Sequence, residues 1–356
     1  MSKPGTFVMA GGGTGGHVIP ALAVARELGA RGHSVRFIGT RRGIEAKLVP
    51  AAGFPIDWIE IGGLNRVGWR KMAASLAELP FSVWEAARLL DRASPAAIFS
   101  MGGYVAGPVL LAAVWKRLPV VVMEPNAIPG FTHRQLARFV AKALVSFEET
   151  VRYFPKGRAE VSGRPVSGDF FAIAPKPRTQ VLTVLITGGS QGSRTLNRAA
   201  AESWDLWKKD SARLIHQTGE RGFAELAQKF QASGLAGEVS AFLEDMPGAF
   251  AAADLIVSRS GGIVSEIAAA GKPSILVPLP TAADQHQLRN AQAFEKAGAA
   301  LLVPDSEMTG SRLVEEVTRL AAEPGLLEKM GEAARTQARP GAAERAADVL
   351  EGFITD

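Results

Sequence analysis

His17 stands directly behind a run of small residues, Gly11-Gly12-Gly13-Thr14-Gly15-Gly16, that satisfies G-x-G-x-x-G at Gly11, Gly13 and Gly16. Glycines let a backbone approach a phosphate, and a helix opening behind them offers N–H donors. The same pattern also serves as a tight strand-to-helix turn with no ligand. At such a helix start the dipole lowers a histidine pKa and favours the neutral, base form, although a capping or packing histidine fits the position too. Gly102-Gly103-Tyr104 follows a second strand and Glu124-Pro125-Asn126 a third. A carboxylate and an amide at the carboxyl end of a strand are placed for substrate contact, or for a capped turn. In the second half, Gly188-Gly189-Ser190-Gln191-Gly192-Ser193 is another candidate phosphate cradle. Ser258-Arg259-Ser260-Gly261-Gly262-Ile263-Val264-Ser265-Glu266 is a further strand–loop–helix junction. Glu266 can accept two hydrogen bonds from a ribose diol, or simply favour the helix dipole. Asp284-Gln285-His286-Gln287 opens the next helix with polar side chains suited to a sugar.

Other chemistries find no residues. The five histidines lack metal-like spacing, there is no Asp-x-Asp, and there is no cysteine, so neither a metal nor another cofactor is expected. No Gly-Lys-Ser/Thr phosphate loop occurs. The net charge of +5 suits an anionic partner, a nucleotide or an acidic membrane surface. It is too dispersed for nucleic acid. The absence of cysteine fits a reducing cytoplasm. No apolar run reaches about 18 residues, so no membrane-spanning segment is expected. Residues 64–90 nevertheless combine Leu64, Val67, Trp69, Met72, Leu76, Leu79, Phe81 and Trp84 with Arg66, Arg70, Lys71 and Arg88, and Trp115-Lys116-Arg117 adds to the set. Such a mixture suits an interface with anionic lipid, or an ordinary core-facing helix with solvated charges.

Positioning these residues requires alternating strands and helices. At 356 residues the chain has room for about two domains. Apolar runs at 7–10, 35–38, 56–61, 97–100, 120–123 and 143–145 read as buried strands separated by helical patterns. A second series follows at 181–187, 213–217, 239–242, 255–258, 274–278 and 300–303. The proline-bearing, aperiodic stretch 162–178 lies between them. The expected fold class is α/β, with two Rossmann-like doubly wound domains facing a cleft. The expected divisions are a first domain at 1–163, a second at 164–340, and a final helix at 341–356 packing back on the first. Each domain opens with a strand running into a glycine loop, Thr6–His17 and Val184–Ser193.

Six motifs in order, Gly-Gly-Thr-Gly-Gly-His at 12–17, Met-Gly-Gly-Tyr-Val at 101–105, Glu-Pro-Asn at 124–126, Gly-Gly-Ser-Gln-Gly at 188–192, Ser-Glu-Ile-Ala-Ala-Ala-Gly at 265–271 and Asp-Gln-His-Gln at 284–287, span nearly the whole chain. Together they closely resemble the family of N-acetylglucosaminyltransferases that make lipid II in peptidoglycan synthesis. The resemblance implies a glycosyltransferase-B fold and inverting transfer of N-acetylglucosamine from UDP-N-acetylglucosamine to the 4-hydroxyl of the muramoyl sugar of lipid I. It implies a peripheral protein on the cytoplasmic face of the membrane. Ser190 would meet the diphosphate, Glu266 the ribose and Gln287 the sugar. The backbone at Leu243 and the segment Gly262, Ile263, Val264 and Ser265 would hold uracil and phosphate. Thr14, Gly15 and Gly16 would approach donor sugar and acceptor diphosphate, with Asn126 near the sugar. The family commonly carries Gly-Asn-Pro-Val-Arg near the linker, whereas this chain reads Gly163-Arg164-Pro165-Val166-Ser167. Arg164 is therefore the candidate substitute for the usual donor-binding arginine.

Transfer needs a general base for the acceptor hydroxyl; His17 leads and Glu124 follows. Three other readings share the residues: a UDP-N-acetylglucosamine 2-epimerase, an NADP-dependent reductase using Arg41 and Arg42, and a non-enzymatic sugar-nucleotide sensor.

Overall fold

The computed structural model describes residues 3–61, 69–126, 128–177, 181–208, 211–282 and 285–354, with the side chains of 69–77 set aside. Leu64, Arg66, Val67 and Asp284 therefore lie outside the described residues, as do the side chains of Trp69, Arg70, Lys71, Met72 and Leu76. The chain divides into two compact units: 1–167 together with 339–356, and 168–338. The first division falls at 167/168, so Arg164 belongs to the first unit and not to the second, where the sequence reading put it.

The first unit is built on a seven-stranded parallel sheet. Its strands are β1 (Thr6–Gly11), β2 (Ser34–Gly39), β3 (Ile56–Trp58), β4 (Ala97–Gly102), β5 (Val120–Glu124), β6 (Lys142–Val145) and β7 (Ala159–Val161), in the order β3-β2-β1-β4-β5-β6-β7. The helices are α1 (Gly15–Ala30), α2 (Glu45–Ala51), α3 (Trp69–Ala93), α4 (Ala106–Trp115) and α5 (Phe131–Leu136). Strands covered on both faces must be apolar on both sides, and β4 and β5 are buried along their whole length. One core packs Phe7, Met9, Phe37 and Phe99 against α1; the other packs Val8, Ile38, Ile98 and Val122 against α3 and α4. The apolar stretch 56–61 yields only a three-residue strand: the ladder to β2 ends where Ile59 N donates to the Gly39 carbonyl, and Ile59 and Ile61 stay buried beyond it. Strand β7, a short polar edge, has no apolar run to announce it.

The chain returns to this sheet through its last helix, here α14 (Ala342–Glu351), which packs on α1 through Ala343, Ala346, Ala347 and Leu350. Alanines let the two helices approach closely. Arg31 then bonds Glu27, Asp348 and Glu351, and His33 bonds Glu351 at 2.7 Å.

The second unit repeats the pattern with six parallel strands: β8 (Leu182–Thr187), β9 (Ala212–Gln217), β10 (Ala236–Ser240), β11 (Leu255–Ser258), β12 (Ser274–Leu276) and β13 (Ala300–Leu302), in the order β10-β9-β8-β11-β12-β13. Its helices are α6 (Gly168–Phe171), α7 (Arg194–Ser203), α8 (Phe223–Ser233), α9 (Met246–Ala252), α10 (Ile263–Ala270), α11 (His286–Lys296), α12 (Gly310–Ala322) and α13 (Leu326–Thr336). In both sheets the strand order reverses beside the first strand, between β1 and β4 and between β8 and β11. Loops at the carboxyl ends of such a pair splay to opposite faces and leave a crevice, the usual ligand position of an open α/β sheet. Both glycine loops begin at those points.

Candidate active site

In the first unit, β1 delivers Gly12–Gly16 and α1 carries His17 in its first turn. His17 Nδ1 lies 3.2 Å from the carbonyl of Gly12 and 3.2 Å from Thr14 Oγ1. A carbonyl only accepts, so Nδ1 carries the proton in that contact and Nε2 is left as the basic nitrogen. The pKa of His17 is lowered, chiefly by burial, which outweighs the raising effect of its bond to the Gly12 carbonyl, with the Arg164 guanidinium adding repulsion. The sequence reading credited the helix dipole; desolvation is the leading cause instead. Arg164 donates to the Gly16 carbonyl at 2.8 Å, within the first unit.

The loop after β4 presses on this histidine. Gly103 has φ +85°, and a Cβ there would stand 2.9 Å from the Gly12 carbonyl and 3.1 Å from His17 Nδ1. Only glycine permits that approach. A shift of register between β1 and β4 at Ala10/Gly11 turns the loop in this direction.

Glu124 closes β5 and is 2% exposed. Its Oε1 accepts from the backbone N and the Nδ2 of Asn126, at 3.0 and 2.9 Å. Its Oε2 accepts from Gly130 N at 3.0 Å and from His133 Nδ1 at 2.9 Å. Burial alone raises the pKa of this carboxyl, but the bond from His133 and the two backbone donors outweigh it, and the net shift is downward. His133 in turn reaches Ser100 Oγ, which accepts from Gly102 N. Glu124 thus fixes Asn126 and, through His133 and Ser100, the Gly102–Gly103 turn.

In the second unit the glycine loop is an independent turn. Gly189 N donates to Thr187 Oγ1, and Ser193 caps α7 by accepting from Leu196 N. The helix therefore opens at Arg194, not directly behind Gly189, and Ser190 sits half-buried in the turn before it. Gly192, at φ +70°, lies so close to the Thr218 carbonyl that any Cβ would collide with it. Gln217, buried at the end of β9, accepts from Leu243 N at 3.0 Å, so the Leu243 amide is already committed. Ser260 donates to the Gln287 carbonyl at 2.8 Å, and Asn290 Nδ2 holds the Ser260 carbonyl at 2.9 Å. These two bonds tie the loop after β11 to the start of α11. Gln287 Oε1 accepts from Leu279 N, and Gln285 takes the left-handed conformation at φ +52°, a strained turn for a non-glycine residue. Gly262 caps α10, and Ile263, Val264, Ser265 and Glu266 form its first turn.

Among the described residues no cluster of His, Asp and Glu is spaced to hold a metal. Arg41 lies over the Trp58 ring, with its Cζ 5.1 Å from the centroid. On α3, Phe81 and Trp84 are 58% and 48% exposed, and Trp115 at the end of α4 is 69% exposed. Arg88 stacks over Trp84, and Lys116 pairs with Asp91 at 2.6 Å, joining the ends of the two helices. Among the described residues no helix is long and apolar enough to cross a membrane.

Sequence reasoning missed Glu45, His133, Gln217 and Asn290. Each lies outside a glycine motif; Glu45, His133 and Asn290 reach back to a glycine-bearing loop, and Gln217 bonds Thr187 and Leu243.

Residues 7–145 match the glycosyltransferase family 28 N-terminal domain and residues 183–346 its C-terminal domain. A protein of Solibacter usitatus, the UDP-N-acetylglucosamine–N-acetylmuramyl-(pentapeptide) pyrophosphoryl-undecaprenol N-acetylglucosamine transferase, is 61% identical over 97% of this chain and 95% of its own. The crystal structure of Acinetobacter baumannii MurG is similar at TM-score 0.72 and 32% identity, over 98% of this chain and 100% of that one. A UDP-GlcNAc 2-epimerase from Neisseria meningitidis, bound to UDP-GlcNAc, has TM-score 0.65 at 15% identity over 97% of this chain and 99% of its own, a likeness of fold alone.

Proposed function

The chain belongs to glycosyltransferase family 28, and we propose that its first unit activates the acceptor while its second unit holds the UDP donor. It is a UDP-N-acetylglucosamine-dependent transferase that moves N-acetylglucosamine to lipid I, giving lipid II in peptidoglycan synthesis. The observation that carries this is identity of 61% along 97% of the chain to a transferase of that name. The epimerase reading has only the shared fold behind it, and the reductase reading loses support because Arg41 stacks on Trp58.

In our reading the 4-hydroxyl oxygen of the muramoyl sugar attacks the anomeric carbon of N-acetylglucosamine. The bond from that carbon to the β-phosphate oxygen of UDP breaks, the configuration inverts, and the hydroxyl proton passes to His17 Nε2. Glu124 holds Asn126 and the loops and stays ionised. This division is supported by the four hydrogen bonds already placed on the Glu124 carboxylate. UDP leaves as an anion, and the turn at Ser190 with the N-termini of α7 and α10 stabilises it. Arg194 in the first turn of α7 supports that assignment, since a cation there opposes the dipole unless an anion binds. Glu266 meets the ribose and Gln287 the sugar, while Leu243 offers uracil its carbonyl. Thr14, Gly15 and Gly16 line the acceptor diphosphate. Arg164 braces the Gly16 turn.

Thermal melting with UDP, UDP-N-acetylglucosamine, UDP-glucose and NADP tests the donor site. A ligand at 100 times its Kd stabilises the native state by about 2.7 kcal/mol. We expect the uridine ligands alone to act, N-acetylglucosamine ahead of glucose, and Glu266→Ala to weaken UDP roughly tenfold, about 1.4 kcal/mol. Stabilisation by NADP with none by UDP would sink the reading.

We propose that the exposed face of Phe81, Trp84, Arg88 and Trp115 docks the protein peripherally on an anionic, cytoplasmic membrane leaflet. Aromatic side chains partition into the interface while neighbouring cations meet anionic headgroups. Changing Phe81, Trp84 and Trp115 to serine should cut flotation with phosphatidylglycerol vesicles by at least about tenfold, by loss of apolar area. Undiminished flotation would remove this face from the account.

A further inference from the structure

Glu45 is 0% exposed, joins no ion pair among the described residues, and is built into the first glycine loop. It begins α2, and its Oε1 accepts from Thr40 N at 3.1 Å and Thr40 Oγ1 at 2.8 Å. Its Oε2 accepts from Gly13 N at 2.8 Å. The surrounding backbone has been cleared for this carboxylate. A Cβ at Gly12 would lie 2.5 Å from Oε1, one at Gly39 2.8 Å from Cγ, and one at Gly43 would overlap the carboxylate outright. A buried carboxylate surrounded by glycines instead of cations is costly, and a neutral side chain would serve a purely structural loop at lower cost.

The geometry of one peptide unit shows what the charge does. The N–H that Glu45 accepts belongs to the Gly12–Gly13 peptide, and the carbonyl of that same unit is the one 3.2 Å from His17 Nδ1. A peptide unit is planar, with its N–H and C=O pointing in opposite directions. Anchoring the N–H on Glu45 therefore aims the carbonyl, and an aligned amide polarised by an anion is a stronger acceptor. We propose that Glu45 is a positioning residue that works through the Gly12–Gly13 peptide to hold His17 as the Nδ1–H tautomer, with Nε2 presented as the base. This rests on the reading of His17 as the base. No described residue engages Nε2. The arrangement does for a histidine with a backbone amide what a carboxylate does directly in a catalytic triad: it fixes tautomer and ring orientation.

The test reads the imidazole itself before any activity. Nitrogen-15 NMR of histidine-labelled protein, assigned with His17→Ala, should show His17 in the wild-type chain as predominantly Nδ1–H. In Glu45→Gln, whose amide can orient as a donor to that region, the Nε2–H form should rise severalfold. A wild-type His17 that is mainly Nε2–H, or a tautomer ratio unchanged in Glu45→Gln, overturns the proposal, and both results stand whatever the base proves to be. Thr40→Val, which leaves the Gly13 contact in place, should keep the wild-type tautomer and controls for loosening of the loop; a Thr40→Val tautomer shift as large as that of Glu45→Gln overturns it too. In turnover, Glu45→Gln should lower kcat about tenfold with the Kd for UDP unchanged. Adding it to His17→Ala should cost nothing further. An additive loss in the double variant would mean Glu45 acts by another route, while full activity in His17→Ala alone would instead dismiss the base assignment and leave the tautomer result intact.

Discussion

His17→Ala should lower lipid II formation by about 10²–10⁴-fold, the usual worth of a positioned general base, while binding of UDP-N-acetylglucosamine persists. The two effects separate because the histidine lies in the first unit and the nucleotide contacts we assign lie in the second. The pH profile gives the sharper distinction. Burial, with repulsion from Arg164, lowers the His17 pKa from its ordinary 6.5, so the neutral base form persists into mildly acidic solution. The acidic limb of kcat/KM should therefore fall below pH 6.5 in the wild-type enzyme and vanish from the residual activity of the variant. Turnover within about threefold of wild type would remove His17 from the chemistry, since a true base cannot be lost so cheaply. A parallel loss of donor affinity would point to collapse of the glycine loop, and Asn at the same position, which can keep a bond to the Gly12 carbonyl, would then restore binding without turnover.

The two sheets were legible because a parallel strand buried on both faces must be a short run of apolar residues, and most of these runs lie where strands formed. The second glycine loop left one detail unread: strand and glycines alone do not reveal that Ser193 caps the helix. Strand β7 escaped because an edge strand of polar residues carries no alternation. At the site, the loops announced themselves through glycine, whose backbone freedom has few other uses at such density. Their supports did not. Glu45 and His133 are single polar residues in sequence, and their importance arises from 32- and 9-residue separations closed by the fold. A buried acid that answers to several backbone N–H groups leaves no local pattern. The clearest hint was compositional: Gly39, Gly43 and Gly12, scattered along the chain, all leave room for the same carboxylate.

Glu124→Gln should destabilise the first unit by about 3 kcal/mol at neutral pH, because one carboxylate oxygen is replaced by a donor facing donors. Whichever way the new amide turns, its nitrogen meets either the Asn126 N–H groups or Gly130 N and His133. The sign of the pH dependence follows from the lowered folded-state pKa. Burial works to raise it, but the His133 bond and the backbone donors prevail, so the ionised form is preferred in the native state. That contribution is fully present above the unfolded value of 4.5 and is lost as pH falls through the lower native value. Calorimetry should accordingly show the wild-type first-unit transition weakening below pH 4.5, and a flatter dependence in the variant. Kinetics then decide what Glu124 does. If it positions Asn126 and the Gly102–Gly103 turn, the variant keeps the acidic limb set by His17 and loses about 10- to 100-fold in its plateau, as expected when reacting groups are displaced by less than an ångström or so. If Glu124 is the base, the limb itself disappears with it, and His17→Ala keeps its own. The two variants thus give opposite profiles under the two assignments, and four hydrogen bonds on one buried carboxylate argue for the first: a group already accepting four donors has no lone pair aimed at a substrate proton.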